Sequence, residues 1–272
     1  MNPAEKRMTA YHEGGHAVAA AALHYTDPVT KVTILPRGRA LGYTMVMPTE
    51  DKYSTSRNEL LDQLVYSMGG RIAEEIVFHD PSTGASNDIQ KASSIARKMV
   101  TEYGMSSRVG PVRLVSDDPD PMTRFGGGNQ REYSEDLAGV IDAEVHALME
   151  TATQEAWELL NANREVLDEL AARLLEKETI LEAELKEIFQ KIRKAPPREQ
   201  WLSAPSRPVS DLPPVPLPPE PTPAEPSAAE PAGAESAASE PAPPAATSDD
   251  QEPPTYPTGR HAAEKSPESG AE

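Results

Sequence analysis

The sequence predicts an α+β fold, mostly helical with a small sheet, followed by a disordered acidic, Pro-rich tail. Three observations predict it. Apolar residues recur at the helical period in several stretches that open on capping residues. Two short runs rich in β-branched and other apolar residues, 32–35 and 41–47, flank Pro36-Arg37-Gly38-Arg39, a segment suited to a hairpin turn. The composition breaks at Pro196-Pro197: of 28 Pro, 20 lie in residues 196–272. Residues 1–195 are therefore expected to fold as one domain. Residues 196–272 are expected to stay disordered, because so little apolar area cannot offset the entropy of ordering the chain.

Each element has a local reason. Asn2-Pro3-Ala4-Glu5 combines a capping Asn, a Pro at the first helical position and a Glu that can reach back to the cap, so a helix is predicted to run to about His24 and end at Asp27-Pro28. Residues 56–78 read as helical, interrupted at Gly69-Gly70. Ser86 is placed to cap a helix over 87–103, whose stripe Ile89, Ala92, Ala96, Met99, Val100 and Tyr103 keeps a 3.6-residue period before Gly104. Residues 117–131, with Asp-Pro pairs and Gly126-Gly127-Gly128, read as a loop. Ser134 opens a long helix to about Asn161, another spans 164–177, and Thr179 with Glu182 matches a capping box for a last helix to about Arg193.

Composition excludes several function classes. The net charge is -18, with 13 acidic and 4 basic residues in the tail and no block of Lys or Arg anywhere, so nucleic acid is not expected as a partner. The absence of Cys removes disulfides, thiolate metal sites and Cys nucleophiles. The longest apolar run, residues 17–23, is far short of the ~20 residues that cross a bilayer, so the chain by itself is expected to be soluble. With aromatics at 5%, the core must be built from Leu, Ile, Val, Met and Ala.

One constellation carries chemistry. His12-Glu13-Gly14-Gly15-His16 matches H-E-x-x-H; on a helix the two His share a face and can bind one ion, while Glu13 stands beside them as a general base. Zinc at such a pair supplies a Lewis acid and lowers the pKa of a coordinated water to about 7. Gly14 and Gly15 each cost about 1 kcal/mol relative to Ala inside a helix, which points to a close approach to the backbone. The His12 and His16 face continues through Ala19 and Leu23, so it is expected to point inward. A third ligand is needed. The extended H-E-x-x-H-x-x-G-x-x-H pattern is absent, since Ala19 and Ala22 occupy its last positions. Glu74, Glu75 and Asp88 are the carboxylate candidates. Asp88 falls in the first turn of a helix, where the dipole favours the ionised form, and shares a face with positions 92, 95 and 99. Spacing alone leaves all three open.

These motifs together resemble a family. His12-Glu13-Gly14-Gly15-His16, Val32-Thr33-Ile34-Leu35-Pro36-Arg37-Gly38, Gly69-Gly70-Arg71-Ile72-Ala73-Glu74-Glu75, Ser82-Thr83-Gly84-Ala85-Ser86-Asn87-Asp88, Ala96-Arg97-Lys98-Met99-Val100 and Tyr103-Gly104-Met105-Ser106 occur in that order. Over residues 3–193 the chain resembles the peptidase domain of the FtsH family, membrane-anchored ATP-dependent zinc proteases. The resemblance implies one zinc per chain held by His12, His16 and Asp88, with Glu13 as the catalytic base. It also implies a homohexamer that encloses its cleavage sites, unfolded or membrane-extracted polypeptides as substrates, and a place on the cytoplasmic face of the cell membrane. Family members carry transmembrane helices and an AAA+ ATPase module ahead of this region. No G-x-x-x-x-G-K-[ST] occurs here, so ATP is expected to act only through such an upstream module, and the chain looks like the C-terminal piece of a longer protein. Position 79 is His where the family pattern leads one to expect Gly.

The remaining features have plainer readings. His24, His79 and His146 lack partners at ligand spacing, and Met8, Met68, Met99 and Met149 suit core filling. Glu74 reads as structural, with a contact to a ligand His as its alternative. Pro213-x-x-Pro216 reads as part of a spacer. The main alternative to an endopeptidase is a non-catalytic oligomerisation and substrate-holding module with a structural metal site, which would have no use for Glu13. A zinc aminopeptidase would need an acidic group to hold the substrate N-terminus, and the sequence offers no clear one. A protease of broad specificity should grip the backbone that all peptides share, so 41–47 or 32–35 is expected to be an edge strand beside the metal.

Overall fold

A computed structural model describes residues 1–36, 38, 41–48, 51–114, 133–204 and 206–216. The expected loop at 117–131, Arg37 and Arg39 of the expected hairpin turn, and the tail from 217 onward lie outside the described residues.

Helix α1 (Pro3–Ala22) begins with the reciprocal cap that its sequence encodes: Glu5 N–H donates to Asn2 Oδ1 at 2.8 Å, and Asn2 N–H to Glu5 Oε2 at 3.0 Å. Strands β1 (Val29–Thr33) and β2 (Tyr43–Val46) follow, antiparallel, with Val32 opposite Thr44. Helix α2 (Arg57–Phe78) has a second capping box, from Ser56 and Glu59. It ends on His79, whose φ of 57° is left-handed; this is the conformation for which Gly is favoured after a helix. A 3-10 turn (Thr83–Ala85) leads into α3 (Ser86–Thr101). Then come α4 (Glu135–Ala162), α5 (Arg164–Lys177), β3 (Thr179–Leu181) and α6 (Glu182–Ile188).

The expected mostly helical α+β architecture is what the chain adopts, with a sheet that has three strands among the described residues, in the order β2-β1-β3. Three local expectations are corrected. Helix α2 runs through Gly69-Gly70 without a break. Ser86 is the first residue of α3 rather than its cap; Ser82 caps the preceding turn through Gly84 N–H. Residues 179–181 form a strand on β1, with Ile180 opposite Val32, so α6 starts without a side-chain cap.

Helix α1 lies against α2 and α5, and α2 also packs on α3 and α4. Gly15 and Gly69 mark the α1–α2 crossing: a Cβ on Gly15 would stand 2.3 Å from the Gly69 carbonyl oxygen, and one on Gly69 2.8 Å from that of Gly15. The Gly pair therefore serves backbone-to-backbone contact. The core is aliphatic as composition demands, with Leu64, Ile72, Met99, Ile141, Leu160 and Leu170 fully buried. The described residues between Met1 and Pro213 form one compact unit. Past Ala195, Arg198 Nη2 lies 2.6 Å from Glu155 Oε2 on α4, and Trp201 covers the Arg57 guanidinium at 4.7 Å. Among the described residues, no helix is long and apolar enough to cross a membrane.

Candidate metal centre

Helix α1 presents His12 and His16 one turn apart towards α2, and their ring nitrogens are sorted by what lies behind them. His12 Nδ1 is 2.7 Å from Glu74 Oε1. His16 Nδ1 donates to the Tyr66 carbonyl at 2.9 Å. Both rings thus turn Nε2 forward, and the two Nε2 atoms are 3.1 Å apart. Asp88, in the first turn of α3, brings Oδ2 to 3.6 Å from His12 Nε2 and 3.5 Å from His16 Nε2. Two ligand atoms each about 2.0–2.1 Å from a tetrahedral zinc stand about 3.3 Å apart, so the triangle of donors fits that ion. Gly70 makes the space: a Cβ there would lie 2.5 Å from His16 Nε2 and 2.6 Å from His12 Nε2. Gly70, which sequence reasoning took only as a break in the helix, is where the ring nitrogens must fit.

The carboxylates divide by environment. Glu74 is buried, accepts from the Ser82 backbone N–H and holds His12; burial opposes its ionisation, but these hydrogen bonds outweigh it and lower its pKa. Asp88 behaves alike: burial raises its pKa, and the two histidines facing it at 3.5–3.6 Å more than reverse this, holding it well below the usual carboxylate range. His12 feels burial, which lowers its pKa, yet its bonds to Asp88 and Glu74 raise it to about 9. Glu13 is only 7% exposed, and burial pushes its pKa up despite the opposing pull of both histidines and of Thr44. Glu75 is not part of the cluster: it pairs with Arg71 at 3.1 Å on the helix surface.

The residue that sequence reasoning missed is Thr44. From β2 its hydroxyl lies 2.9 Å from Glu13 Oε2 and 3.0 Å from the Glu13 carbonyl. Beside it, a Cβ on Gly42 would meet Glu13 Cγ at 2.9 Å, so the strand presses directly on this side chain. The signal available was period-two alternation, which puts Thr44 on the face opposite Tyr43 and Met45. Among the described residues, the expected edge strand is β2: it ends the sheet on one side, while β1 is central.

Residues 1–188 match the peptidase family M41. The chain belongs to peptidase family M41. Among curated relatives, it is 57% identical over 215 residues to the ATP-dependent zinc metalloprotease FtsH of Cutibacterium acnes (strain SK137), covering 79% of this chain and 30% of the relative. It is 50% identical over 211 residues to the protein of the same description from Mycobacterium leprae (strain TN), covering 78% of this chain and 27% of that one. A third such protein, from Syntrophobacter fumaroxidans (strain DSM 10017 / MPOB), is 50% identical over 195 residues, 71% of this chain and 30% of its own length. The M41 chain thus spans under a third of the length of the relatives it matches, and the FtsH resemblance read from its motifs holds. Within the M41 domain the cluster His12, His16 and Asp88 has its donor atoms within 4.8 Å of one another, on α1 and α3.

Proposed function

We propose that this chain is a zinc-dependent endopeptidase acting on unfolded polypeptides, with His12, His16 and Asp88 holding one zinc and Glu13 moving the proton. The observation that supports it most is the convergence of three donor atoms at ligand spacing beside a buried carboxylate anchored by Thr44. Zinc bound there supplies a Lewis acid and water of lowered pKa. Glu13, with Oε2 engaged by Thr44, has Oε1 to accept a proton as water attacks the peptide carbonyl carbon, and to return it to the leaving nitrogen. A purely structural metal site would have no use for a buried carboxylate of raised pKa at this place.

Among the described residues β2 ends the sheet, and strand addition at such an edge would select extended backbone and need no particular side chain. In the full-length context the reading adds a homohexamer, an upstream AAA+ ATPase that unfolds substrates, and membrane helices that set the ring on the cytoplasmic face. The test uses the chain as given. Zinc-loaded protein should cut an unfolded casein without ATP, lose activity to a chelator, regain it with zinc and leave a stably folded protein intact. Zinc-loaded, folded protein that leaves casein whole would refute the reading.

A further inference from the structure

The C-terminal end of α1 has one local side-chain cap, the Thr26 hydroxyl on the Ala20 carbonyl at 2.5 Å, which leaves the carbonyls of Ala22 and Leu23 to other partners. Its last turn holds no basic residue, and Leu23 is extended (φ -73°, ψ 163°) rather than left-handed. A helix end leaves its last four carbonyls without intrahelical partners. Here two of the groups at this end are met from the far end of the domain. Ala195 N–H donates to the Ala22 carbonyl at 3.0 Å, and Lys194 Nζ to the Leu23 carbonyl at 3.0 Å, bringing a cation to the negative pole of the helix. His24 Nε2 donates back to the Ala195 carbonyl at 2.7 Å.

The next residues tighten the same corner. Asp62 on α2 is 1% exposed, and its Oδ2 accepts from His24 N–H at 3.1 Å and Tyr25 N–H at 2.8 Å. Its Oδ1 accepts from Arg198 Nη1, while Arg198 Nη2 and Nε reach the Glu155 carboxylate on α4 at 2.6 and 3.1 Å. Arg198 is thus the cation for a buried carboxylate whose other oxygen organises the exit from α1. Trp201 then closes over Arg57 at the start of α2. Residues 194–198 help line a pocket of about 950 Å³ whose wall mixes Leu23, Leu61 and Leu159 with Arg57, Asp62 and Glu155.

We infer that residues 194–201 are a clasp: they cap the C-terminal end of the helix that carries His12, Glu13 and His16, and lock it against α2 and α4. The composition break at Pro196 is therefore not where the working domain ends. Arg198 acts on the end of α1 through Asp62.

Amide hydrogen exchange on the full chain tests this. In Arg198→Ala, residues 23–26 should exchange at least about tenfold faster, and 195 likewise, while the centre of α3 (Ala96, Met99, Val100) keeps its protection. Unchanged exchange at 23–26, or an equal rise in α3, would overturn the clasp. If Arg198→Ala leaves Asp62 so exposed to imbalance that the chain does not fold, Glu155→Gln loosens the same clasp while the Asp62–Arg198 pair persists. It should speed exchange at Ala195, whose N–H makes the clasp's bond to the Ala22 carbonyl, and protection at 195 equal to that of the parent would overturn the inference.

Discussion

Thr44 Oγ1 stands 2.9 Å from Glu13 Oε2, tying the edge strand β2 to the carboxylate beside the histidine pair. A hydroxyl donating to a carboxylate favours its ionised form, and here it opposes the burial that raises the Glu13 pKa. Glu13 accepts a proton only when ionised, so cleavage falls as pH drops through its folded-state pKa. Thr44→Val removes the donor and raises that pKa further. The acid limb of the pH–rate profile should move to higher pH, with a several-fold loss of rate below neutrality and little change on the alkaline side. A limb that stays in place would show that the contact does not tune Glu13.

Gly70→Ala should separate folding from metal binding. Ala is about 1 kcal/mol better than Gly inside a helix. Its methyl, however, would lie 2.6 Å from His12 Cε1 and 2.5 Å from His16 Nε2. The variant should keep its helical circular dichroism and lose most of its bound zinc. Gly15→Ala makes a contrast, because its methyl meets the Gly69 backbone at 2.3 Å and neither helix can yield cheaply. It should lower stability by about 1–3 kcal/mol, read from denaturant unfolding.

The legible parts of this molecule are those whose causes are local. The Asn2 and Ser56 capping boxes, the i, i+4 histidines and the inward stripe through Ala92 and Met99 each follow from a few neighbouring residues. What was not legible is held from far away. Residues 179–181 are too short to announce a strand, and become one because Thr33 and Thr179, 146 positions apart, meet side by side with hydroxyls at 2.7 Å. Gly69-Gly70 reads as a break by helix propensity, yet the helix continues because Gly15 and the histidine rings need that room. Spacing left Asp88, Glu74 and Glu75 all open, and only the family resemblance singled out Asp88. Only the placement of α3 against α1 brings Asp88 Oδ2 to the two Nε2 atoms and puts Glu74 behind His12.

The three carboxylates should therefore respond differently. Asp88→Ala should release zinc during dialysis. Glu74→Ala should still bind one zinc, about 10–100-fold more weakly, because the His12 ring loses the partner that orients it. Glu75→Ala should match the parent, since Glu75 faces solvent and Arg71. Zinc titration against a competing chelator measures all three, and full affinity in Asp88→Ala would remove Asp88 from the site.

His12 sets the pH dependence of metal uptake. Without metal its pKa is about 9: burial lowers it, but Asp88 and Glu74 raise it more. A folded-state pKa above the unfolded value of about 6.5 adds stability that is complete below about pH 6.5 and lost as pH rises through about 9. A metal ligand must be unprotonated, so zinc binding at neutral pH should expel this proton. Apparent zinc affinity should climb about tenfold per pH unit between pH 7 and 8.5. The metal-free protein should lose thermal stability over the same interval, and the zinc-loaded one should not. Calorimetry in buffers of different ionisation enthalpy counts the released proton; a count near zero at pH 7.5 would contradict the assignment.

The central claim is that Glu13 transfers the proton at a zinc centre it does not itself ligate. The most direct measurement is zinc content and unfolded-peptide cleavage on the same preparation of Glu13→Gln. The account predicts one zinc per chain and a cleavage rate lower by about 10²-fold or more. Cleavage at the parent rate with zinc in place, or loss of the metal on this substitution alone, would contradict it.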